Sequence, residues 1–276
     1  SNLEARYELV KTMRASILVL GSMVAKYGYA KIALPGGCAI GSRPVNYHLK
    51  ALEKLGAEIS LNNGYIEAKA KKLTGANIEF EGVTVTGTEN LMMAASLAEG
   101  LTTLTNVAKE PEISDLADFL NSMGAKISGA GTDEITIEGV KELTGTTFKI
   151  PADRIEAGTY LVAAAVTNGK ITIKKIDPKR MGSIIETLQK AGAEVNTNGN
   201  SISLDMTKNS IKPVDIVTAP FPGFPTDMQA QFTILNCIGR GESSVKETIF
   251  ENRFMHVQEL NRMGTDITIN GTTALI

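Results

Sequence analysis

The sequence predicts an α/β (α+β) fold in which a helix–strand–helix–strand–strand unit occurs four times, with helices inside and sheets outside. Two observations carry this prediction: an eight-residue segment with an internal glycine recurs along the chain, and a nearly uncharged helix opens each copy. The recurring glycines stand at positions 56, 124, 192 and 264, at steps of 68, 68 and 72 residues. A fixed period of this kind indicates a structure built from repeated supersecondary units.

The repeated segment predicts a helix end followed by a hairpin. Its four copies read LEKLGAEI (52–59), LNSMGAKI (120–127), LQKAGAEV (188–195) and LNRMGTDI (260–267). Glycine just past a helix end commonly adopts the left-handed conformation that closes the helix. We therefore predict that strand, turn and strand follow each glycine, in the second copy at 126–128, 129–131 and 134–138.

The remaining elements of each copy precede the glycine. The opening helices are predicted at 13–25, 91–98, 160–166 and 228–237, and the strands after them at 31–34, 103–106, 170–174 and 243–247. An amphipathic helix then leads to each glycine, as apolar residues at helical spacing over 113–123 indicate. The opening helices carry few charges on any side, which favours burial. An ordinary α+β protein with helices on one sheet would use the same elements and stays an alternative.

Composition excludes several functional classes. The chain has 276 residues, enough for one large domain or two of ordinary size, and its net charge of −2 includes no basic run that would indicate nucleic-acid binding. The apolar stretches are shorter than the roughly 20 residues that span a bilayer, and no secretory leader is recognised. Two distant cysteines and two histidines predict neither a disulfide framework nor a zinc site. We expect a cytoplasmic protein.

The first copy contains an insertion that the other copies lack. Between strand and second helix it has the ten residues 35–44, PGGCAIGSRP, where the second copy has only 108–111. Pro44 suits the first turn of a helix, whose N-terminus attracts anions, and Arg43 stands beside it. Cationic surroundings activate a thiol, so Cys38 is predicted to be a reactive cysteine over an anionic ligand. A surface loop with an incidental cysteine remains the alternative.

Four separated motifs resemble the UDP-N-acetylglucosamine 1-carboxyvinyltransferase family of enolpyruvyl transferases, in order and from end to end. They are PGGCAIGSRPVNYHL (35–49), KTMRAS (11–16), FPTDMQAQ (224–231) and ETIFENRFM (247–255). The resemblance implies an inside-out α/β barrel of the enolpyruvyl transferase type, built from six βαβαββ units in two lobes of three. Four of six units are present here. We expect a partial first lobe at 1–150 with the cysteine loop and a partial second lobe at 151–276.

The resemblance also implies a reaction. Members transfer the enolpyruvyl group of phosphoenolpyruvate to the 3-hydroxyl of UDP-N-acetylglucosamine, releasing phosphate, in peptidoglycan precursor synthesis and without metal or cofactor. Cys38 then protonates the methylene carbon of phosphoenolpyruvate and is the target of fosfomycin, and Asp227 is the general base. Glu89 and Glu156 hold nearly the same place in other copies, so position alone says little. A proline-rich approach, residues 220–225, distinguishes Asp227.

Further residues are implied to contact the anionic substrates. The substrate-binding set is Arg14, Arg43, Pro44, Val45, Asn46, Tyr47, Val85, Thr86, Gly87, Ile249 and Phe250. Arg253 either supports the site from behind or forms a salt bridge, and the sequence does not choose between these roles. Cys237, His48 and His256 have apolar neighbours and are interpreted as structural.

Family members also carry a Lys-Asn pair near their N-terminus and two arginines near their C-terminus, and neither feature is found in this sequence. The expectation is a truncated enzyme that turns over poorly or not at all, because the charges of phosphoenolpyruvate need fixed cations. Apolar helix faces left uncovered would favour self-association. A non-catalytic UDP-sugar-binding protein of the same fold and the shikimate 3-phosphate enolpyruvyl transferase remain alternative functions.

Overall fold

A computed structural model describes residues 3–11, 13–34 and 45–276 of the chain. The inserted loop with Cys38, Arg43 and Pro44 lies outside the described residues. The chain divides into two compact units, one ending at Lys149 and the other running from Ile150 to Ile276, and each encloses its own hydrophobic core. No helix in the described ranges combines the length and the hydropathy needed to cross a bilayer.

The first unit contains two copies of the repeat. The first copy comprises β1 (Glu4–Ala5), α1 (Tyr7–Val10), a 3-10 helix (Arg14–Leu18), α2 (Val19–Tyr27), β2 (Tyr29–Ala33), α3 (Asn46–Lys54), β3 (Glu58–Asn62) and β4 (Tyr65–Lys69). The second copy comprises β5 (Asn77–Glu79), α4 (Val85–Ala95), β6 (Leu101–Thr105), α5 (Pro111–Ser122), β7 (Lys126–Ser128) and β8 (Glu134–Glu138). The segment after β8 stays with this unit, because Phe148 stacks against Phe119 of α5 with ring centroids 5.2 Å apart.

The second unit contains the other two copies. The third copy comprises α6 (Arg154–Val166), β9 (Lys170–Lys174), a 3-10 helix (Pro178–Met181), α7 (Gly182–Lys190), β10 (Glu194–Asn198) and β11 (Ser201–Asp205). The fourth copy comprises β12 (Ile216–Val217), a 3-10 helix (Thr226–Met228), α8 (Gln229–Ile238), β13 (Ser244–Lys246), α9 (Met255–Arg262), β14 (Thr268–Asn270) and β15 (Thr273–Leu275).

Every copy builds one sheet with the same topology. The strand orders are β1-β2-β4-β3, β5-β6-β8-β7, β9-β11-β10 and β12-β13-β15-β14. Where an opening strand is present, it pairs in parallel with the second strand, and all other pairs are antiparallel. The repeat is therefore βαβαββ, although the described residues of the third copy contain no opening strand.

Helices cover one face of each sheet and leave the other face to solvent. Alternate residues of the central strands are buried, for example Ile66 and Ala68 in β4 and Ile135 and Ile137 in β8. This period-2 pattern is that of a sheet with one covered face. The opening helices pack in pairs, α2 on α4 and α6 on α8, as well as on the sheets. The predicted arrangement of helices inside and sheets outside is confirmed.

The contact between α2 and α4 is unusually close at Gly21. A Cβ atom there would lie 2.4 Å from Asn90 Oδ1 and 3.1 Å from the Cβ of Ala94. The backbone N–H of Gly21 instead donates to Asn90 Oδ1 at 2.8 Å. Only glycine permits this approach, so the two inner helices are held together by a buried polar contact as well as by apolar packing.

The four recurring glycines close their helices in one common way. Gly56, Gly124, Gly192 and Gly264 have φ of 93°, 100°, 99° and 102°. In each copy the N–H after the glycine donates to the carbonyl five residues earlier, as from Ala125 to Leu120 at 3.0 Å. This is the bonding of a Schellman cap. The predicted helix ends are confirmed, and in the second copy the predicted strands 126–128 and 134–138 are found as β7 and β8.

An asparagine side chain ties two of these helix ends to the strand that follows. Asn121 donates to the carbonyl of Ile127 at 2.9 Å and accepts from its N–H at 2.8 Å. Asn261 makes the same pair of bonds with Ile267, at 2.9 and 3.0 Å. The side-chain amide thus replaces the neighbouring strand that would otherwise bond this residue.

The opening helices differ from prediction at their starts. The helix predicted at 13–25 begins as a 3-10 helix and becomes α-helical only at Val19, and Gly28, at φ 72°, ends it after Tyr27. The helix predicted at 91–98 begins six residues earlier, at Val85, because Thr84 caps it by accepting from the N–H of Gly87. Its polar first turns do not contribute to the apolar pattern, which explains the late predicted start.

We predict that Gly124→Ala lowers the free energy of unfolding by about 1–2 kcal/mol, because a side chain disfavours the left-handed backbone. No atom lies within 4 Å of the added Cβ, so backbone strain is the only expected cause. The matched control is Gly182→Ala, at φ −49° and with equally open surroundings, which should be neutral or stabilising by up to about 1 kcal/mol. Urea unfolding of both variants checks the prediction, and equal shifts would contradict it.

Candidate functional site

In the first unit, three of the candidate binding residues form the N-terminal turn of α4. Val85, Thr86 and Gly87 form its first turn, and the N–H of Gly87 is used by the cap from the Thr84 hydroxyl at 3.2 Å. The first backbone N–H groups of a helix and its dipole favour an anion at this position. Of the three predicted residues, Val85 and Thr86 therefore have the better-placed N–H groups.

A buried polar network stands behind this turn. The side chain of Asn90, fully buried in α4, donates to the carbonyl of Ile17 at 3.3 Å and to His48 Nδ1 at 2.9 Å. Its oxygen accepts from Gly21, so the orientation of the amide is fixed. His48 Nε2 lies 3.3 Å from the hydroxyl oxygen of Thr86. The network connects α2, α3 and α4 to the candidate anion site.

His48 is neutral in this network. Burial, and next the positive charge of Arg14, lower the pKa of His48 to about 4. Because Nδ1 accepts from Asn90, the proton of the neutral ring is on Nε2 and is donated to the Thr86 hydroxyl. The hydroxyl proton of Thr86 is then directed away from His48.

The other predicted residues of the first unit take different places. Arg14 begins the 3-10 helix and is half-buried, and Val45 is buried just before α3. Asn46, the first residue of α3, is exposed. Tyr47 extends toward the segment before α4, where a Cβ at Gly82 would lie 3.1 Å from its hydroxyl. Arg14, through its charge, and Thr86, through a 3.3 Å contact, both act on His48 of α3, and Tyr47 lies on the same helix.

In the second unit, Asp227 is held by an arginine. Asp227 Oδ1 accepts from Arg253 Nη2 at 2.6 Å, and Arg253 Nη1 donates to the hydroxyl of Thr226 at 2.9 Å. The Asp227 side chain is 57% exposed and that of Arg253 is 21% exposed. Arg253 also lies over the ring of Phe250, 5.3 Å from its centroid. The two roles considered for Arg253 are therefore combined, since its salt bridge is made to the candidate base itself.

A buried carboxylate lies beneath this pair. Glu247, 1% exposed, accepts from the hydroxyls of Thr218 and Thr226, both at 2.8 Å. It also accepts from the backbone N–H groups of Ile249 at 2.8 Å and Phe250 at 3.3 Å. Ile249 and Phe250, from the predicted substrate-binding set, and Asp227, the predicted base, are thus connected through Glu247, Thr226 and Arg253 in the second unit.

The equivalent acids of the other copies have different neighbours. Burial and then the charges of Glu112 and Glu110 raise the pKa of Glu89 to about 7. Glu156 is exposed in the first turn of α6. What distinguishes Asp227 is its ion pair with Arg253, and this partner comes from a segment 26 residues away that position in the repeat does not indicate.

Sequence reasoning missed the residues that organise both sites. From the sequence, His48 is interpreted as structural, Asn90 lies just before the helix predicted at 91–98 and receives no role, and Glu247 belongs to a motif without an assigned role. The available signal was polarity beside apolar residues, since Asn90 directly precedes the uncharged segment LMMAAS (91–96) and Glu247 follows a strand, and both need partners when buried.

We predict that His48 stays neutral between pH 7.5 and pH 5. The folded pKa is about 4, below the usual 6.5, so the unfolded chain binds the proton first. Stability should fall as the pH drops from about 6.5 toward 4, by up to about 3 kcal/mol. NMR titration of the two histidine rings checks this, with His256→Gln as the assignment variant. A His48 midpoint at or above 6.5 would contradict the prediction.

Curated proteins of similar sequence share one name. A curated relative from Hydrogenovibrio crunogenus, named UDP-N-acetylglucosamine 1-carboxyvinyltransferase, is 60% identical over 271 residues, covering 98% of this chain and 65% of the relative. A relative of the same name from Ruthia magnifica is 61% identical over 275 residues, covering 100% and 66%. The chain spans less than two thirds of the length of the curated relatives it matches.

A solved structure and a family profile also match the chain. The crystal structure of the enolpyruvyl transferase NikO from Streptomyces tendae matches with a TM-score of 0.86 at 20% identity, over 100% of this chain and 66% of that one. This likeness confirms the predicted enolpyruvyl transferase type of fold. The profile of the family described as EPSP synthase (3-phosphoshikimate 1-carboxyvinyltransferase) matches residues 1–276. The chain belongs to this family.

Proposed function

We propose that the chain contributes to transfer of the enolpyruvyl group from phosphoenolpyruvate to the 3-hydroxyl of UDP-N-acetylglucosamine, with release of phosphate. The observation that carries the proposal is 60% identity, over 98% of the chain, to a relative named for 1-carboxyvinyl transfer to this sugar nucleotide. The two compact units are then partial lobes of the enzyme, 1–150 and 151–276, and no metal or cofactor is required.

The first unit supplies a diphosphate site in this proposal. The α4 N-terminus offers the N–H groups of Val85 and Thr86, and the Thr86 hydroxyl can donate to a ligand oxygen because it accepts from His48. Arg14 adds a fixed positive charge near the network. Arg43, Pro44, Val45, Asn46 and Tyr47 complete the sugar-nucleotide site from the inserted loop and the start of α3.

The second unit supplies the base. Asp227 takes the proton of the sugar 3-hydroxyl while that oxygen bonds to C2 of phosphoenolpyruvate, and Cys38 gives its thiol proton to the methylene carbon, C3. Elimination of phosphate and loss of a proton from C3 then restore the double bond in the product. Ile249 and Phe250 form the wall against the sugar. The Arg253 ion pair supports this role because it fixes one of the two carboxylate oxygens of Asp227.

The cellular role follows from the substrates. The product is a precursor of peptidoglycan, so the protein serves cell-wall synthesis and, through it, cell shape and division. The proposal includes a cytoplasmic location for the reaction. The thiol of Cys38 is then the group that fosfomycin alkylates.

We predict that fosfomycin forms an adduct on Cys38 and not on Cys237. Burial raises the pKa of the Cys237 thiol, which lowers its thiolate fraction, so the chain contains its own control. Peptide mass spectrometry after timed treatment should give a rate at least about tenfold higher at Cys38.

Two variants make this test specific. Cys38→Ser should abolish the adduct, whereas Cys237→Ala should leave its rate unchanged. Equal modification of both cysteines, or none at Cys38 in the presence of the sugar nucleotide, would contradict the proposed function. Isothermal calorimetry with UDP-N-acetylglucosamine, and then with phosphoenolpyruvate added, separates the transferase from a protein that only binds the sugar nucleotide.

A further inference from the structure

Glu247 is the most deeply buried carboxylate in the described second unit that contacts the candidate site. It follows β13 and is 1% exposed. A buried carboxylate is costly unless its oxygens are hydrogen-bonded. Glu247 meets this condition with four donors: the hydroxyls of Thr218 and Thr226 and the N–H groups of Ile249 and Phe250.

The carboxylate fixes the direction of both hydroxyls. An ionised carboxylate only accepts, and a threonine hydroxyl has one proton to donate. Thr226 donates that proton to Glu247 Oε2 at 2.8 Å, so its oxygen accepts from Arg253 Nη1 at 2.9 Å. Thr218 donates to Oε1 at 2.8 Å and accepts from the N–H of Thr248 at 2.9 Å.

Two series of hydrogen bonds, called branches below, therefore begin at the Glu247 carboxylate. The first runs from Glu247 through Thr226 to the Arg253 guanidinium and ends at Asp227. The second runs from Glu247 directly and through Thr218 to the backbone of residues 248–250. An ion pair as exposed as Asp227–Arg253 contributes little by itself and has no strongly preferred geometry. The part-buried bond from Arg253 to Thr226 supplies the missing constraint.

We propose that Glu247 is a positioning residue that sets the orientation of the Asp227–Arg253 pair through Thr226 and of the 249–250 wall through its backbone bonds. It does so without contacting substrate. The proposal deepens the proposed function, since it assigns the alignment of the base and of the sugar wall to one buried charge. Its first test uses no substrate, so it can fail or succeed independently of that function.

The first test observes the Arg253 guanidinium by NMR. Two bonds to fixed partners slow the rotation and the solvent exchange of its N–H groups, so the wild-type chain should show a resolved Arg253 Nη signal at low temperature. Thr226→Val should remove the signal by breaking the branch, and Thr226→Ser, which keeps the hydroxyl, should retain it. Glu247→Gln should also remove it, because the amide presents a donor or a weaker acceptor to Thr226.

A matched control separates positioning from general stability. Thr187→Val removes a hydroxyl in α7 whose one bond within the described part of the chain is to the Ser183 carbonyl, at 2.7 Å. It should leave the Arg253 signal unchanged even where the melting temperature shifts. Retention of the signal in both Thr226→Val and Glu247→Gln would overturn the proposal. Loss of the signal in Thr226→Ser as well would also overturn it, since the hydroxyl would then not be the determining group.

The second test separates the branches by ligand affinity. Thr218→Val and Glu247→Gln act on the 248–250 wall and should weaken UDP-N-acetylglucosamine binding about tenfold, the effect of losing one charged hydrogen bond. Thr226→Val acts on Asp227 and should change this affinity less than threefold, because the sugar wall keeps its bonds. Equal losses in Thr218→Val and Thr226→Val would contradict two separate branches. Absence of binding by the wild-type chain would count against the proposed function and leave the NMR result standing.

Discussion

The burial of the opening helices is the constraint on which the rest of each unit depends. Each of these helices packs on its own sheet and on the opening helix of the neighbouring copy, so it has little surface left for charged side chains. Such a helix can be long and apolar only where a sheet covers it, and the βαβαββ unit supplies that sheet from the same copy. At Gly21 and Asn90 the two backbones approach so closely that only glycine fits. Some of the polar groups that remain inside are paired with one another, as Asn90 is with His48, and these buried networks lie next to the inner helices.

Burial of the inner helices also explains why the candidate site residues lie at the N-terminal turns of these helices. An inner helix that is largely buried still has an N-terminal turn with N–H groups that the helix itself does not use. In α4 this turn carries Val85 and Thr86, and in the fourth copy the 3-10 turn before α8 carries Thr226 and Asp227. Behind each turn lies a buried polar side chain, His48 in one unit and Glu247 in the other. The two side chains have opposite roles. Neutral His48 donates to the hydroxyl of Thr86, whereas the Glu247 carboxylate accepts from the hydroxyl of Thr226.

The repeat made most of the fold predictable from the residues alone. Glycine at a helix end has a local cause, so Gly56, Gly124, Gly192 and Gly264 indicated the helix ends, and the hairpin at 126–138 followed at the right residues. Helix starts were harder to predict from the sequence, because Thr84 and the polar turn after it do not contribute to the pattern of apolar residues. The candidate site was predictable only where a motif resembled a known family. The pairing of Asp227 with Arg253, and of both with Glu247, depends on contacts between distant segments, which no local pattern contains.

The asparagines at two helix ends affect how the sheets keep their alignment. A hairpin that slid by one position would turn Ile127 from the interior to the solvent, and in the second and fourth copies the amides of Asn121 and Asn261 hold the strand at its first residues. The third copy has Gln189 there with a single, longer bond of 3.4 Å, and the first has Glu53, which has no amide proton to give. Copies that share one architecture therefore differ in how many hydrogen bonds join the end of the second helix to the edge strand. Sequence changes in the edge strands should accumulate most freely in the second and fourth copies, where an asparagine at the helix end bonds the strand. They should accumulate least freely in the first copy, where side-chain packing must set the strand alignment.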